Sequence, residues 1–347
     1  MKAAYFTNYQ APITVETLPD PICSPDGTVI QVKATGICRS DWHGWMGHDS
    51  DVQLPHVPGH ELAGVVVEVG KNVRQWQQGD RVTLPFCCGC GHCGQCITGN
   101  QQICDNYFQP GFTAWGSFAE YVHIEYADVN LVRLDESMSF AAAAVLGCRF
   151  ITAYRGIIAQ GQLQPGHWIA VHGCGGVGLS AIMIAKAIGA QIIAVDIDDK
   201  KLDFAQSLGA NVVLNAKKLD DLPSAIQELS KGGVSVSVDA LGSQITCQNS
   251  VLSLKKRGKH IQIGLMTGKD ALPQIPMGPV ISKELEIIGS HGMQAHQYPA
   301  MLALIQGQKI PLEQMIGEKM DLTKGAKALM QMGNFRNIGV MVIDSFL

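Results

Sequence analysis

Residues 168–172 read Trp-Ile-Ala-Val-His, a compact apolar run that ends on Gly173-Cys174-Gly175-Gly176-Val177-Gly178 and continues into an apolar, glycine-free stretch over 179–188. A glycine-rich turn between a strand and a helix is restrictive. Its first glycine allows the tight turn, its second lets backbone approach a ligand, and its third lets the helix pack onto the strand. The helix start beyond it presents unpaired N–H groups, which suit a pyrophosphate. Asp196 then closes the next apolar run, 191–195, where a carboxylate can accept hydrogen bonds from ribose hydroxyls. Gly173, Gly175, Gly176, Val177, Gly178 and Asp196 are therefore expected to bind a dinucleotide. Ile197, Asp198 and Asp199 separate Asp196 from Lys200. A 2′-phosphate would meet carboxylates there rather than an arginine, so NAD is expected over NADP.

The surrounding texture supports this reading. Strand-like runs at 191–195, 211–214, 234–238 and 260–263 are interleaved with helical stretches at 180–188, 200–208 and 222–229. Such alternation implies βαβ units and a doubly wound parallel sheet, placed at 151–290. Residues 1–150 differ, with short extended runs (28–34, 64–69, 81–84) broken by turn signals such as Pro25-Asp26-Gly27 and Gly79-Asp80. This half is expected to be β-rich. Residues 291–347 carry a helical stretch at 298–306 and a final strand at 340–343, too little for a domain, and are expected to rejoin the first one.

With 347 residues the chain exceeds one compact core, and 46% hydrophobic against 16% charged residues excludes disorder. A net charge of -4, with no Lys/Arg-rich tract, argues against nucleic acid as a partner. The N-terminus has no apolar core before a cleavage site, and no run of 18 apolar residues occurs, so a cytoplasmic protein without membrane attachment is expected. The odd count of 11 cysteines fits reduced thiols and metal ligation better than disulfides.

Cys90, Cys93, Cys96 and Cys104 form C-x2-C-x2-C-x7-C on a glycine-rich loop. Four thiolates so spaced can close around one tetrahedral zinc ion. An iron–sulfur cluster and free thiols are the alternatives. Cys87, Cys88 and His92 are surplus; spacing does not exclude their replacing a ligand, and they are taken as bystanders. Separately, Cys38 in Gly36-Ile37-Cys38-Arg39-Ser40-Asp41-Trp42-His43 and His60 in Val57-Pro58-Gly59-His60-Glu61 lie about twenty residues apart, each beside polar partners. A catalytic zinc takes three protein ligands and keeps a fourth position open. Alone, each of the two residues would more often be structural.

Taken together, these segments resemble the zinc-containing medium-chain alcohol dehydrogenases, over essentially the whole chain. The family's GHE-x2-G-x5-G-x2-V pattern is matched from Gly59 through Gly64 and Gly70 to Val73, and the four-cysteine lobe has the family's spacing. The resemblance implies an α/β architecture, with a β-rich GroES-like catalytic domain and a doubly wound Rossmann domain. It implies two zinc ions per chain: Cys38, His60 and Cys148 holding the catalytic one, the four-cysteine loop a structural one. Glu61 matches the carboxylate beside the metal, as second shell or transient ligand. Ser40 matches the hydroxyl that meets the alcohol, and His43 the imidazole that passes its proton to solvent. An alcohol's proton must leave before hydride can depart, so a Lewis acid and a proton path are both needed. Arg39 would touch the pyrophosphate, Lys201 the ribose, and Ile263 and Leu265 the cofactor. Trp42, Trp45, Phe86 and Trp115, with Leu265 nearby, would line an apolar substrate pocket. Cys148, where polyol dehydrogenases often carry Glu, leans the same way. The chain departs from some relatives near its end, where Ile338-Gly339-Val340 replaces an arginine that binds pyrophosphate.

The expected activity is reversible, zinc-dependent hydride transfer between an alcohol and NAD. The competing readings are an NADP-linked aldehyde reductase of the cinnamyl-alcohol type, a polyol or threonine dehydrogenase, and a non-catalytic nucleotide-binding or lens-type protein on the same fold. The first is opposed by Asp196 and Asp198, the last by the intact set Cys38, Ser40, His43, His60, Glu61 and Cys148. The chain resembles the shorter microbial members, which implies a homo-oligomer, with a tetramer favoured over a dimer.

Overall fold

The computed structural model describes residues 1–334 and 337–346; Phe335, Arg336 and Leu347, in the terminal segment, lie outside the described residues. The chain divides into two compact units. The first comprises Met1–Ile151, Gly292–Leu302 and Ile316–Leu347, and the second Thr152–His291 and Ala303–Met315.

In the first unit Thr28–Ile37 is the central strand of a seven-stranded sheet, paired with Glu61–Val69, Tyr121–Ile124 and Val340–Ser345. Alternate residues of these strands, among them Ile30, Val32, Leu62, Val66, Val122 and Ile124, bury one apolar face. The terminal strand sets Val342 opposite Gly36, so chain more than three hundred residues away buttresses the approach to Cys38. Antiparallel register sets Gly36 opposite Glu61 and Thr35 opposite Leu62. The consequence is positional: Cys38 just past one strand and His60 just before its partner emerge at the same end of the sheet.

The second unit holds a six-stranded parallel sheet. Its order is Val212–Asn215, Gln191–Asp196, Trp168–His172, Val234–Asp239, Leu254–Gln262, Glu286–Gly289. Chain order runs outward in both directions from Trp168–His172, which makes the crevice beside this strand the topological switch point where such sheets bind ligands. Residues 303–315, assigned on sequence to the terminal segment, cluster with this unit instead. Met315 is fully buried there and its sulfur accepts a hydrogen bond from Ser180 on the helix Gly176–Ile188.

The helical run Phe140–Gln160 is long and apolar enough to cross a bilayer by length and composition, yet most of it is buried inside the protein. It carries Arg149 and Arg155, and it is a core helix. Two of its turns, Leu146–Phe150 and Gly156–Gln160, are π-helical.

Candidate active site

Cys38, His60, Glu61 and Cys148 place one potential ligand atom each within 4.8 Å of one another. Each arrives for a local reason. Cys38 caps the helix Arg39–Met46, and Cys148 sits on the π turn, a rare widened turn that recurs at functional sites. Gly147 lets that turn come close: a Cβ there would lie 3.1 Å from the Leu84 carbonyl and 3.3 Å from Glu61 Cα.

Asp41, buried, fixes the two ligand loops. One carboxylate oxygen accepts from His60 Nδ1 at 2.7 Å and from the Gly59 N–H at 3.1 Å; the other accepts from the Cys38 N–H at 2.9 Å. His60 Nε2 is buried and has no hydrogen-bond partner among the described residues. An imidazole held at one nitrogen and left open at the other is prepared for a metal. Burial opposes a charge on His60, but Asp41 and Cys38 reverse this and raise its pKa. The Cys38 thiol is held well below its usual range by a hydrogen bond from Cys148, against burial and with help from Arg149. Two sulfurs and one nitrogen, with thiolate character on Cys38, fit a zinc ion.

Glu61 is engaged on both oxygens by the next residue along from Cys148. Arg149 donates from its backbone N–H (3.2 Å) and Nε (2.8 Å) to one oxygen and from Nη2 to the other, and Nη2 also donates to the Ile37 carbonyl at 2.8 Å. Burial pushes the Glu61 carboxyl up to about 7 against the pull of Arg149. Glu61 and Cys38 in turn outweigh burial at Arg149 and keep the guanidinium charged.

The aromatic residues near these motifs differ in their surroundings. Phe86 lies beside the cluster, its ring centroid 6.0 Å from that of His60, and Phe112 approaches closer, at 5.4 Å. Trp45 spends its indole N–H on the Ala11 carbonyl (2.8 Å) and Trp115 on that of Pro55 (3.1 Å), the latter against Tyr5. Trp42 lies under the Arg39 guanidinium at 4.4 Å and edge-on to His43. Arg39 itself donates to the Met332 carbonyl at 2.9 Å. Ser40 lies 3.8 Å from the Cys38 sulfur through its hydroxyl.

Cys90, Cys93, Cys96 and Cys104 likewise gather their sulfurs within 4.8 Å. The Cys90–Cys96 and Cys93–Cys104 separations, 4.0 and 3.7 Å, match the edge of about 3.8 Å expected of a tetrahedron with Zn–S bonds of about 2.3 Å. Burial pushes the Cys104 thiol up, and backbone N–H groups of Cys90 and Asn106, each donating to its Sγ at 3.2 Å, partly oppose this. The surplus residues point elsewhere: Cys87 donates to the Met293 carbonyl, Cys88 to that of Pro85, and His92 Nδ1 meets the Cys90 carbonyl.

In the second unit Gly173-Cys174-Gly175 turns the chain from Trp168–His172 into Gly176–Ile188. Gly175 caps that helix without a side chain, so its first N–H groups remain available to an anion. Gly178 is required, since a Cβ would collide with the Gly173 carbonyl oxygen. Asp196 accepts from the Cys174 N–H at 2.7 Å on one oxygen and from the Ile197 (2.7 Å) and Asp198 (3.1 Å) N–H groups on the other. Lys201 lies in the first turn of Asp199–Leu208. Asp239, fully buried, accepts from the Leu241 and Gly242 N–H groups at 2.9 Å, from Thr246 and from Gln262, while its carbonyl takes the Ile263 and Gly264 N–H groups. It thereby ties the loops after two neighbouring strands, bringing Ile263 and Leu265 to the carboxyl edge of the sheet. Asp41, Arg149, Phe112 and Asp239 were not singled out on sequence. For Asp41 a signal existed, an acid three residues past Cys38 at a helix start.

The alcohol dehydrogenase GroES-like domain family matches residues 24–135, and the zinc-binding dehydrogenase family matches residues 176–307. An alcohol dehydrogenase of Geobacillus stearothermophilus is 35% identical over 84% of each chain. An NAD-dependent alcohol dehydrogenase of Sulfurisphaera tokodaii is 31% identical over 99% of each. The solved benzyl alcohol dehydrogenase from Acinetobacter calcoaceticus superposes with a TM-score of 0.91 over 99% of both chains, at 28% identity.

Proposed function

Because the chain belongs to the zinc-containing medium-chain alcohol dehydrogenase family, we propose that it interconverts an apolar primary or secondary alcohol and its aldehyde or ketone with NAD. The observation that carries this reading is the cluster of Cys38, His60 and Cys148, with His60 turned by Asp41 so that its open nitrogen joins the two sulfurs. A zinc ion bound there supplies a Lewis acid that makes the alcohol's proton easier to lose, and NAD bound by the second unit supplies the hydride acceptor.

The chain's own groups do the rest. Ser40 receives the hydroxyl proton and His43 carries it outward. Burial, then Arg39 and His48, push His43 down to about 4, so the imidazole is neutral near pH 7 and able to accept. Phe86 and Phe112 favour an apolar alcohol, because polyol hydroxyls placed against them would lose water without gaining partners. The first turn of Gly176–Ile188 takes the pyrophosphate; Asp196 and Lys201 take the ribose, and Ile263 and Leu265 contact the cofactor. Carboxylates at Asp196, Asp198 and Asp199 disfavour a 2′-phosphate. The four-cysteine loop holds a second, structural zinc.

Initial rates at the NADH absorbance band, with primary, secondary, aromatic and polyol alcohols and either dinucleotide, test this. Fast turnover of an apolar alcohol with NAD is the expected result. A preference for polyols would overturn the pocket reading, and inactivity in folded, zinc-loaded protein would overturn the enzyme.

We further propose a cytoplasmic homotetramer. Six of the eleven cysteines gather in the two metal-ligand clusters, a use of thiols that fits a reducing compartment. Glu286–Gly289 is an edge strand, and Ile287, Leu272, Met277 and Ile281 near it in sequence are exposed, the kind of edge that seeks a partner. Light scattering is expected to give four times the 37.3 kDa chain mass; a monomer mass would contradict it.

A further inference from the structure

The helix Arg39–Met46 ends on Gly47 in the left-handed conformation (φ 79°), and the chain doubles back so that the His48 N–H donates to the His43 carbonyl at 3.0 Å. The same turn sets the two imidazoles together, Nδ1 to Nδ1 at 3.0 Å. Trp42 presents its face or edge to both, with centroids 5.0 Å from His43 and 5.8 Å from His48 at steep interplanar angles. His43 is half-buried, whereas His48 is exposed. We propose that His48 is the outer station of the proton path, taking from His43 the proton released by the alcohol and handing it to water. This rests on the alcohol dehydrogenase reading and extends it by one residue.

The chemistry follows from the contact. Two nitrogens at 3.0 Å share one hydrogen, so one ring donates and the other accepts. With Nδ1 of His43 committed to His48, Nε2 is the nitrogen left to face inward. A proton arriving at Nε2 of His43 releases the Nδ1 proton to Nδ1 of His48, and His48 gives its Nε2 proton to solvent. No charge accumulates on His43, whose burial and whose neighbours Arg39 and His48 disfavour one, with Cys38 and Asp49 only partly opposing them. That is the physical need for a second station: a half-buried imidazole that cannot keep a proton must pass it on. After one transfer the pair holds the opposite tautomers, which is the starting arrangement for delivering a proton in the reductive direction. The first arrangement returns only when His43 also gives up its Nε2 proton and regains one at Nδ1, while exposed His48 exchanges its own protons with water.

Stopped-flow measurement of proton release, with a pH indicator alongside NADH absorbance, tests this on the full-length zinc-loaded enzyme carrying His48→Gln. Proton release is expected to slow about tenfold, less than the roughly 10²- to 10⁴-fold of a group at the reacting atoms because water can still take the proton from His43, with KM for alcohol and for NAD unchanged. Imidazole added at tens of millimolar is expected to restore the rate, which a purely structural role of His48 would not allow. Release at the wild-type rate in His48→Gln, alongside slowed release in His43→Gln, would end the path at His43 and overturn the proposal while leaving the alcohol dehydrogenase reading intact. A slowed rate that imidazole does not restore would also overturn it. Absence of alcohol oxidation in the wild-type enzyme would remove the reading beneath it.

Discussion

Replacing His60 with alanine is expected to lower alcohol oxidation by roughly 10³- to 10⁴-fold, the equivalent of several kcal/mol of lost charge stabilisation at 1.36 kcal/mol per tenfold. Metal analysis of the same protein is expected to fall from two zinc ions per chain to one. The reason is the division of labour around the cluster. Asp41 holds Cys38 and Gly59 through their backbone N–H groups as well as His60 through its ring, so the ligand loops keep their course when the imidazole is lost. The four-cysteine site draws on none of these residues. Unchanged far-ultraviolet circular dichroism together with loss of one metal would locate the effect in the catalytic cluster. Unchanged rate and metal content would show that Cys38, His60 and Cys148 do not form the catalytic metal site.

How far the sequence discloses this arrangement depends on the distance between cooperating residues. The four cysteines lie within fifteen positions, the glycine turn within six, and Asp196 follows at the end of the next strand, so each pattern contains its own geometry. The strands 168–172, 191–195 and 211–214 and the helix at 222–229 are visible for the same reason, since period and turn residues are local properties. The strand Leu254–Gln262 is longer than the expected 260–263. Lys255, Lys256, Arg257 and Gly258 obscure its first half, and Arg257 takes a positive φ of 60° beside a break in pairing register. The short edge strand Glu286–Gly289, mostly exposed, has no buried alternation to betray it.

What escapes the sequence are contacts made only after folding. Glu61 and Arg149 are 88 residues apart, and their pairing depends on the π turn at Leu146–Phe150 meeting the start of Glu61–Val69. Phe112 reaches His60 from a loop without regular structure. Trp45 and Trp115 add contacts that no local pattern displays: each indole N–H needs an acceptor, and each finds a backbone carbonyl on another segment.

Loss of Arg149 should cost the fold heavily. Arg149→Met is expected to destabilise the protein by about 3–5 kcal/mol, because it leaves the Glu61 carboxylate buried without its counter-ion. Glu61 has no exposed surface, and three of the donors to its oxygens belong to Arg149, two of them on the guanidinium. The double variant Glu61→Gln with Arg149→Met is expected to recover most of that loss, since a neutral amide costs less to bury than a lone charge, and urea denaturation of the set forms a double-mutant cycle. The pH dependence has a defined sign. Burial already raises the Glu61 carboxyl to about 7, and removing the guanidinium's opposing pull raises it further. A carboxyl whose folded-state pKa lies above its unfolded value favours the folded state at low pH, and that contribution disappears as pH climbs through the folded pKa. The penalty in Arg149→Met should therefore be small near pH 5, where Glu61 can hold a proton, and grow through pH 7 and above. A penalty independent of pH, or a double variant no more stable than the single one, would mean that Arg149 acts through packing rather than as the partner of Glu61.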